Sequence, residues 1–328
     1  MVMQTSVIIC THNPRPEYLR RALEALRGQT LALSDWELLL VDNASQPRLS
    51  DTWNLSWHPH SRHIREDELG LTPARLRAIQ EARGETLVFV DDDNVLAADF
   101  LERIQAIVAD HPHLGVFGAG TLEPEFEATP PPEVVPFLAL LALRSVSSKL
   151  WSNNVADIGS IPWGAGMTVT RETAKFYSQL VGQLNIKAMI GRRGQQLFCG
   201  EDDLFSWATT LIGKGFGLFP ELKVTHLISA HRLNPRYLLQ LIHDHAFSHR
   251  VLRYRLTGAQ DPRKKRSTKL VWHLRLLLHG LKNGRFSMQC QQARFRGLND
   301  AARFISENGV IQLSPVRLSS EHRRFNCA

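Results

Sequence analysis

The chain has 328 residues, 43% of them hydrophobic and 22% charged, with 39 Lys and Arg against 32 Asp and Glu, for a formal net charge of +7. That is enough apolar chain for one large or two smaller globular domains, and too much for a disordered polypeptide. No window reaches the roughly 18 consecutive apolar residues of a membrane span, and Met1 to Cys10 lacks the basic start and long apolar core of a signal peptide, so a cytoplasmic protein is expected. Four cysteines, Cys10, Cys199, Cys290 and Cys327, follow no metal-finger spacing and read as reduced thiols.

In chain order, Gln4 to Cys10 is a β-branched strand broken at Thr11-His12-Asn13-Pro14-Arg15-Pro16, and Glu17 to Arg27 carries a helical apolar stripe. Trp36 to Val41 is a second strand and stops at an acid, Asp42. Residues 46–66 read as loop with one short strand around Ile64. A helix is predicted over Ala74 to Arg83, with Thr72 as N-cap, Pro73 at its first position and Gly84 ending it. The apolar run Leu87 to Val90 then stops at three carboxylates, Asp91-Asp92-Asp93. If the strand continued, alternation would put Asp91 and Asp93 on one side, about 7 Å apart and able to share a divalent cation, with Asp92 a bystander opposite. The order β, α, β, α, β with short links predicts a mostly parallel sheet covered by helices.

Ala97 to Asp110 is predicted as helix and Leu114 to Gly120 as strand. Thr129 to Glu133 reads as a stiff proline linker, and Val134 to Leu143 as a core helix or a flap over a site. Ile161 to Val169 holds a Gly164-Ala165-Gly166 turn feeding a strand. Arg171 to Leu184 is helical, Ile190 to Gln196 is a loop, and Glu201-Asp202-Asp203 opens a helix, where acids suit the dipole. Phe219 to Ile228 is a strand carrying His226. From Pro235 the pattern is helical to the low 300s.

Arg250 to Arg296 is strongly basic around Arg263-Lys264-Lys265-Arg266, and Leu270 to Leu281 forms an amphipathic basic stripe. Such a segment suits an anionic membrane surface, a polyanion or packing on the main domain, and charge does not rank these. His243, His245 and His249 have no acidic partner in sequence and are not read as a zinc site.

Acids at three element edges, a Gly-x-Gly turn and a strand histidine, in this order, resemble the family 2 glycosyltransferases. The resemblance covers residues 4–235 and rests on Ser6 to Asn13, Leu40 to Ser45, Ala74-Arg75, Val90 to Asp93, Gly164 to Gly166, Gly200 to Asp202 and His226. It implies an inverting, nucleotide-sugar-dependent enzyme of GT-A fold, an α/β domain over 1–235 (nucleotide-binding half 1–120, acceptor half 121–235), followed by a basic helical extension, 236–328. By the resemblance Thr11, Asp42, Arg75 and Asp91 bind the nucleotide, Asp42 favouring uracil because a carboxylate accepts from a ring N–H. Asp93 and His226 would hold Mn2+ or Mg2+, and Gly164, Ala165 and Gly166 would admit donor sugar or acceptor. Asp202 would be the general base, with Glu201 beside it and Asp203 its rival.

The implied partners are a UDP-linked donor and a saccharide or lipid-linked saccharide acceptor, in surface polysaccharide or glycan synthesis, with peripheral membrane contact through the basic segment and no nucleic acid. A sugar-phosphate nucleotidyltransferase is one alternative, although Thr11 to Pro16 lacks its phosphate loop. A non-catalytic polyanion-binding protein is the other.

Overall fold

The computed structural model describes residues 4–258, 280 and 284–308. Its core is one mixed ten-stranded sheet with the main order β3-β2-β1-β4-β9-β6-β10-β5. The first half is parallel: β1 (Thr5–Thr11) lies between β2 (Trp36–Asn43) and β4 (Thr86–Val90), with β3 (Ser61–Glu66) outside β2. Connections run through α1 (Pro16–Arg27), the single turn α2 (Leu49–Thr52) and α3 (Leu71–Glu81). Beyond β4 the sheet changes character. β5 (Asn94–Leu96), α4 (Phe100–Asp110) and β6 (Leu114–Phe126) are followed by the short β7 (Arg144–Ser145) and β8 (Leu150–Ser152). Then come β9 (Met167–Thr170), α5 (Arg171–Leu184), α6 (Glu201–Leu211), β10 (Gly215–Ile228), α7 (Pro235–Thr257) and α8 (Arg285–Glu307). β6 and β10 pair parallel, while β9 runs antiparallel to β4 and β6, and β5 and β8 antiparallel to β10.

Period-two alternation explains the two-sided core. Val7, Ile9, Leu38, Leu40, Val88 and Val90 point to one face, where Leu19, Leu23, Leu26, Phe100 and Ile104 of α1 and α4 cover them. Ile8, Leu39, Val41, Leu87 and Phe89 point to the other and meet Ala74, Ala78, Tyr177 and Phe205 of α3, α5 and α6. A third cluster joins Val134 and Leu141, at either end of a 3-10 turn over Val135–Leu141, to Leu238 and Leu241 of α7 and Phe286 of α8. α8 crosses α7 closely: a Cβ on Gly297 would lie 2.2 Å from the His243 carbonyl oxygen. The described part of the basic extension therefore packs on the main body; Arg263 to Arg266 and, Gly280 apart, Leu270 to Leu281 lie outside the described residues. Among the described residues no helix is long and apolar enough to cross a membrane.

Several expectations needed correction. α3 starts at Leu71 with Gly70 as its N-cap at φ 140°, so Thr72 and Pro73 lie inside the first turn. Thr72 donates its hydroxyl to Ile190 O instead. α3 ends at Glu81, and Gly84 matters for a different reason. A Cβ there would lie 2.6 Å from Ser6 N, so glycine is what lets the chain pass against β1. α4 begins at Phe100 rather than Ala97. β6 runs on to Phe126 and β10 begins at Gly215, because the two continue to pair beyond a register shift between Phe219 and Lys223.

Candidate active site

The carboxyl ends of β1 and β4, the start of α3, the Trp163-Gly164-Ala165 turn, the strap 191–200 and the start of α6 enclose a cavity of about 550 Å3. This is the edge where open α/β sheets bind ligands.

β4 stops at Val90, so Asp91 to Asp93 form a turn and strand alternation does not govern them. All three line the cavity, which corrects the reading of Asp92 as a bystander. Asn94 shapes the turn, its Oδ1 accepting from Asp91 N at 3.2 Å and its Nδ2 donating to Asp93 Oδ1 at 3.0 Å. Asp92 accepts the hydroxyl proton of Thr11. Burial and the charge of Asp93 push the Asp92 carboxyl up to about 7.

The antiparallel pairing of β5 with β10 sets His226 opposite Asn94 and so beside Asp93. His226 Nε2 lies 3.3 Å from Asp93 Oδ2. Arg232, which sequence reasoning missed, comes from the 3-10 turn Ala230–Leu233 and puts Nη1 2.8 Å from Asp93 Oδ2 and 2.9 Å from His226 Nε2. A guanidinium only donates, so His226 Nε2 must present its lone pair there. Among the described residues, His226 Nδ1 is buried with no hydrogen-bond partner. A carboxylate oxygen and an imidazole lone pair thus converge on one point occupied by a cationic nitrogen, and Nη1 stands where a divalent cation would. The donor set fits Mn2+ or Mg2+. The Asp93 carboxyl is held well below the usual range despite burial, with the Arg232 and Arg192 guanidiniums among the causes.

Arg75 joins the two acidic ends of the cavity. It is 4% exposed, 3.3 Å from Glu201 Oε2 and 3.7 Å from Asp91 Oδ1. Burial works against this cation, but Glu201 and Asp91 outweigh it and hold the guanidinium charged. Glu201 is itself buried, with Tyr177 Oη donating to its Oε1 at 3.4 Å. Burial raises its carboxyl above the ordinary range against the pull of Arg75. Glu201 is therefore fully engaged in the wall. Asp202 lines the cavity and carries a carboxyl pushed up to about 6 by burial and by Asp203, with His249 opposing. Such a group is ionised at neutral pH yet basic enough to accept a proton.

Gly164 lines the cavity, and neither Gly164 nor Gly166 leaves room for a side chain. A Cβ on Gly164 would meet Arg75 Nη2 at 2.8 Å, and Gly166 has φ +70° against Phe100 and Val224. Ala165 lines the cavity, and Trp163 beside it stacks under the Arg144 guanidinium at 3.4 Å.

Two candidates, Gly166 and Asp42, do not line the cavity, and Asp42 is held in the turn after β2. It is outside the cavity lining, accepts from Ser45 N at 2.8 Å and Leu49 N at 3.0 Å, and pairs with Arg65 Nη1 at 2.7 Å. Its oxygens are engaged in the turn after β2, and the preference for uracil rests on the resemblance alone. The absence of acids near the α7 histidines is also corrected. Asp203 Oδ2 lies 2.9 Å from His249 Nδ1, and Asp300 Oδ2 lies 3.0 Å from His243 Nε2.

Comparison with known proteins finds relatives of the first part of the chain and of its fold. Residues 6–131 match the sequence profile of glycosyl transferase family 2. The chain is 27% identical over 127 residues to the putative glycosyltransferase EpsH of Bacillus subtilis, covering 38% of this chain and 35% of that protein. It is 31% identical over 101 residues to the glycosyltransferase AglE of Haloferax volcanii, covering 30% of this chain and 33% of that one. The matched part thus spans about a third of the length of these relatives. The mannosyltransferase PcManGT of Pyrobaculum calidifontis, solved with GDP-Man and Mn2+, superposes with a TM-score of 0.52 over 93% of this chain and 79% of its own at 18% identity. The fold is accordingly the GT-A glycosyltransferase fold.

Proposed function

We propose, from the match of residues 6–131 to the glycosyl transferase family 2 profile, that the protein is a divalent-metal-dependent inverting glycosyltransferase. It would use a nucleotide-sugar donor and a saccharide or lipid-linked saccharide acceptor. The observation that carries the reading is one cavity in which Asp93 and His226 converge on a cation position while Asp202, with its raised carboxyl, faces the same space.

In this reading Asp202 takes the proton of the acceptor hydroxyl as its oxygen attacks the anomeric carbon. The new C–O bond forms as the bond to the diphosphate breaks, and the electron pair leaves on the diphosphate. Asp93 and His226 would hold Mn2+ or Mg2+, which offsets the charge growing on the leaving group. Arg232 gives up its place between them and is then within reach of the diphosphate. Arg75 and Glu201 fix the wall that carries Asp91 and Asp202, so they position and do not react. Thr11 and Asp91 line the nucleotide side. Since Asp42 is committed elsewhere, the choice of UDP over other nucleotides is left to the donor panel.

The test is calorimetric titration of UDP-, GDP-, TDP- and CMP-sugars with and without Mn2+, on the natural chain, Asp93→Ala and Asp202→Asn. One donor should bind in a metal-dependent way, Asp93→Ala should abolish that dependence, and Asp202→Asn should keep donor binding while transfer stops. Unchanged affinity in Asp93→Ala would remove the metal assignment, and normal turnover in Asp202→Asn would move the base to Asp203.

A further inference from the structure

The strap ahead of α6 runs along α7 and is fastened at two points one helical turn apart. Leu197 N donates to Asp244 Oδ2 at 2.8 Å, and Cys199 N donates to Ser248 Oγ at 3.2 Å. The residues following those two anchors on α7 are His245 and His249, so the fastening sets the Cys199 thiol against that pair. The sulfur and one ring nitrogen of each histidine all lie within 4.8 Å of one another. His249 Nδ1 is held by Asp203 at 2.9 Å, which leaves Nε2 for ligation. A carboxylate on the far nitrogen is the usual support of a metal-bound imidazole. Cys199 is a free cysteine.

We propose that Cys199, His245 and His249 form a binding site for zinc or a similarly soft divalent ion, separate from the Asp93 and His226 position. One thiolate and two imidazoles select Zn2+ over Mn2+ and Mg2+, which prefer oxygen donors. Bonds of about 2.3 Å to sulfur and 2.0 Å to nitrogen place ligand atoms roughly 3.5 Å apart, so side-chain rotation alone closes the site. Ligation releases the thiol proton and the His249 Nε2 proton to solvent. All three residues line the cavity, whose water would supply the remaining ligand. The ion would tie the 197–200 strap, and with it Glu201 and Asp202, to α7.

The probe is Co2+ added to the metal-stripped full chain. One equivalent should produce a thiolate-to-cobalt charge-transfer band and the visible bands of tetrahedral cobalt, and Zn2+ should abolish both. The bands should persist in Asp93→Ala, disappear in Cys199→Ser and weaken at least tenfold in affinity in His245→Gln. Zn2+ should raise the melting temperature of the natural chain and leave that of Cys199→Ser unmoved, with circular dichroism showing that both variants fold. Absence of a thiolate band, or a band that survives Cys199→Ser, overturns the site and leaves Cys199 and His249 as a hydrogen-bonded pair. The readout is binding, so it stands or falls independently of sugar transfer.

Discussion

Replacing Arg75 by Met removes the cation that joins the acidic ends of the cavity while keeping a side chain of similar reach among Phe89, Tyr177 and Glu201. It leaves a buried carboxylate, Glu201, uncompensated and next to Asp91. Breaking a buried ion pair from one side costs about 3–5 kcal/mol. Glu201 can escape by taking up a proton, because burial already raises its carboxyl even with Arg75 in place. A carboxyl whose folded pKa exceeds its unfolded value stabilises most at low pH and loses that contribution as pH rises through the folded value. In Arg75→Met that value rises further, so the stability gap to the natural chain should narrow as pH falls. The narrowing is bounded by one proton, about 1.4 kcal/mol per pH unit. Urea unfolding of both chains at several pH values measures the gap directly, and other groups that titrate in both cancel. A gap under about 1 kcal/mol, or one independent of pH, would refute the buried pair as the joint of the site.

Three further outcomes are expected. With the Asp202 carboxyl at about 6, transfer should fall as pH drops below 6; Asp202→Asn should lose that acid limb together with about 10²- to 10⁴-fold in rate, measured as kcat/KM against pH. Arg232→Gln removes the nitrogen that sits between Asp93 and His226, and since a charge-assisted hydrogen bond is worth about 1.5–3 kcal/mol, Mn2+ affinity without nucleotide should rise about 10- to 150-fold by calorimetry. In Gly191→Ala a Cβ would meet Glu201 Oε2 and Thr72 Oγ1 at 2.6 Å, at φ +73°, whereas the nearest atom to a Cβ on Gly194, at φ +57°, is 4.0 Å away. The first substitution should destabilise by about 1–3 kcal/mol more than the second in urea midpoints, because backbone strain is common to both and overpacking is not.

Much of the first half of the sheet could be read locally. Apolar runs of strand length ending in acids, separated by amphipathic stretches, specify β1 to β4 and their helices, because burial of alternate residues on two faces of a sheet needs only that pattern. The acids of the site, Asp91, Asp93, Glu201 and Asp202, were legible for the same reason: a carboxylate that ends a strand or opens a helix sits at a sheet edge or a helix N-terminus. Thr72 was misread because Gly70, at φ 140°, turns the chain earlier than a side-chain cap would. Asp92 was misread because alternation ceases where β4 ends, at Val90.

Partnership across the chain was not legible. His226 reaches Asp93 across 133 positions through the register of β5 with β10, and Arg75 reaches Glu201 across 126 through the packing of α3 against the start of α6. Asp42 looked like a free acceptor until the turn after β2 folded Ser45 N, Leu49 N and Arg65 onto it. Arg232, Cys199 and His249 carry no motif and acquire meaning only from what faces them. The amino-acid pattern by itself determined where chain segments become strand or helix and which ends carry charge, since those follow from local periodicity and capping. Only the tertiary structure decided which charges share a cation, which are neutralised in a wall and which face the cavity, because the energy of a charge depends on distance and burial, and neither exists until the chain has closed on itself.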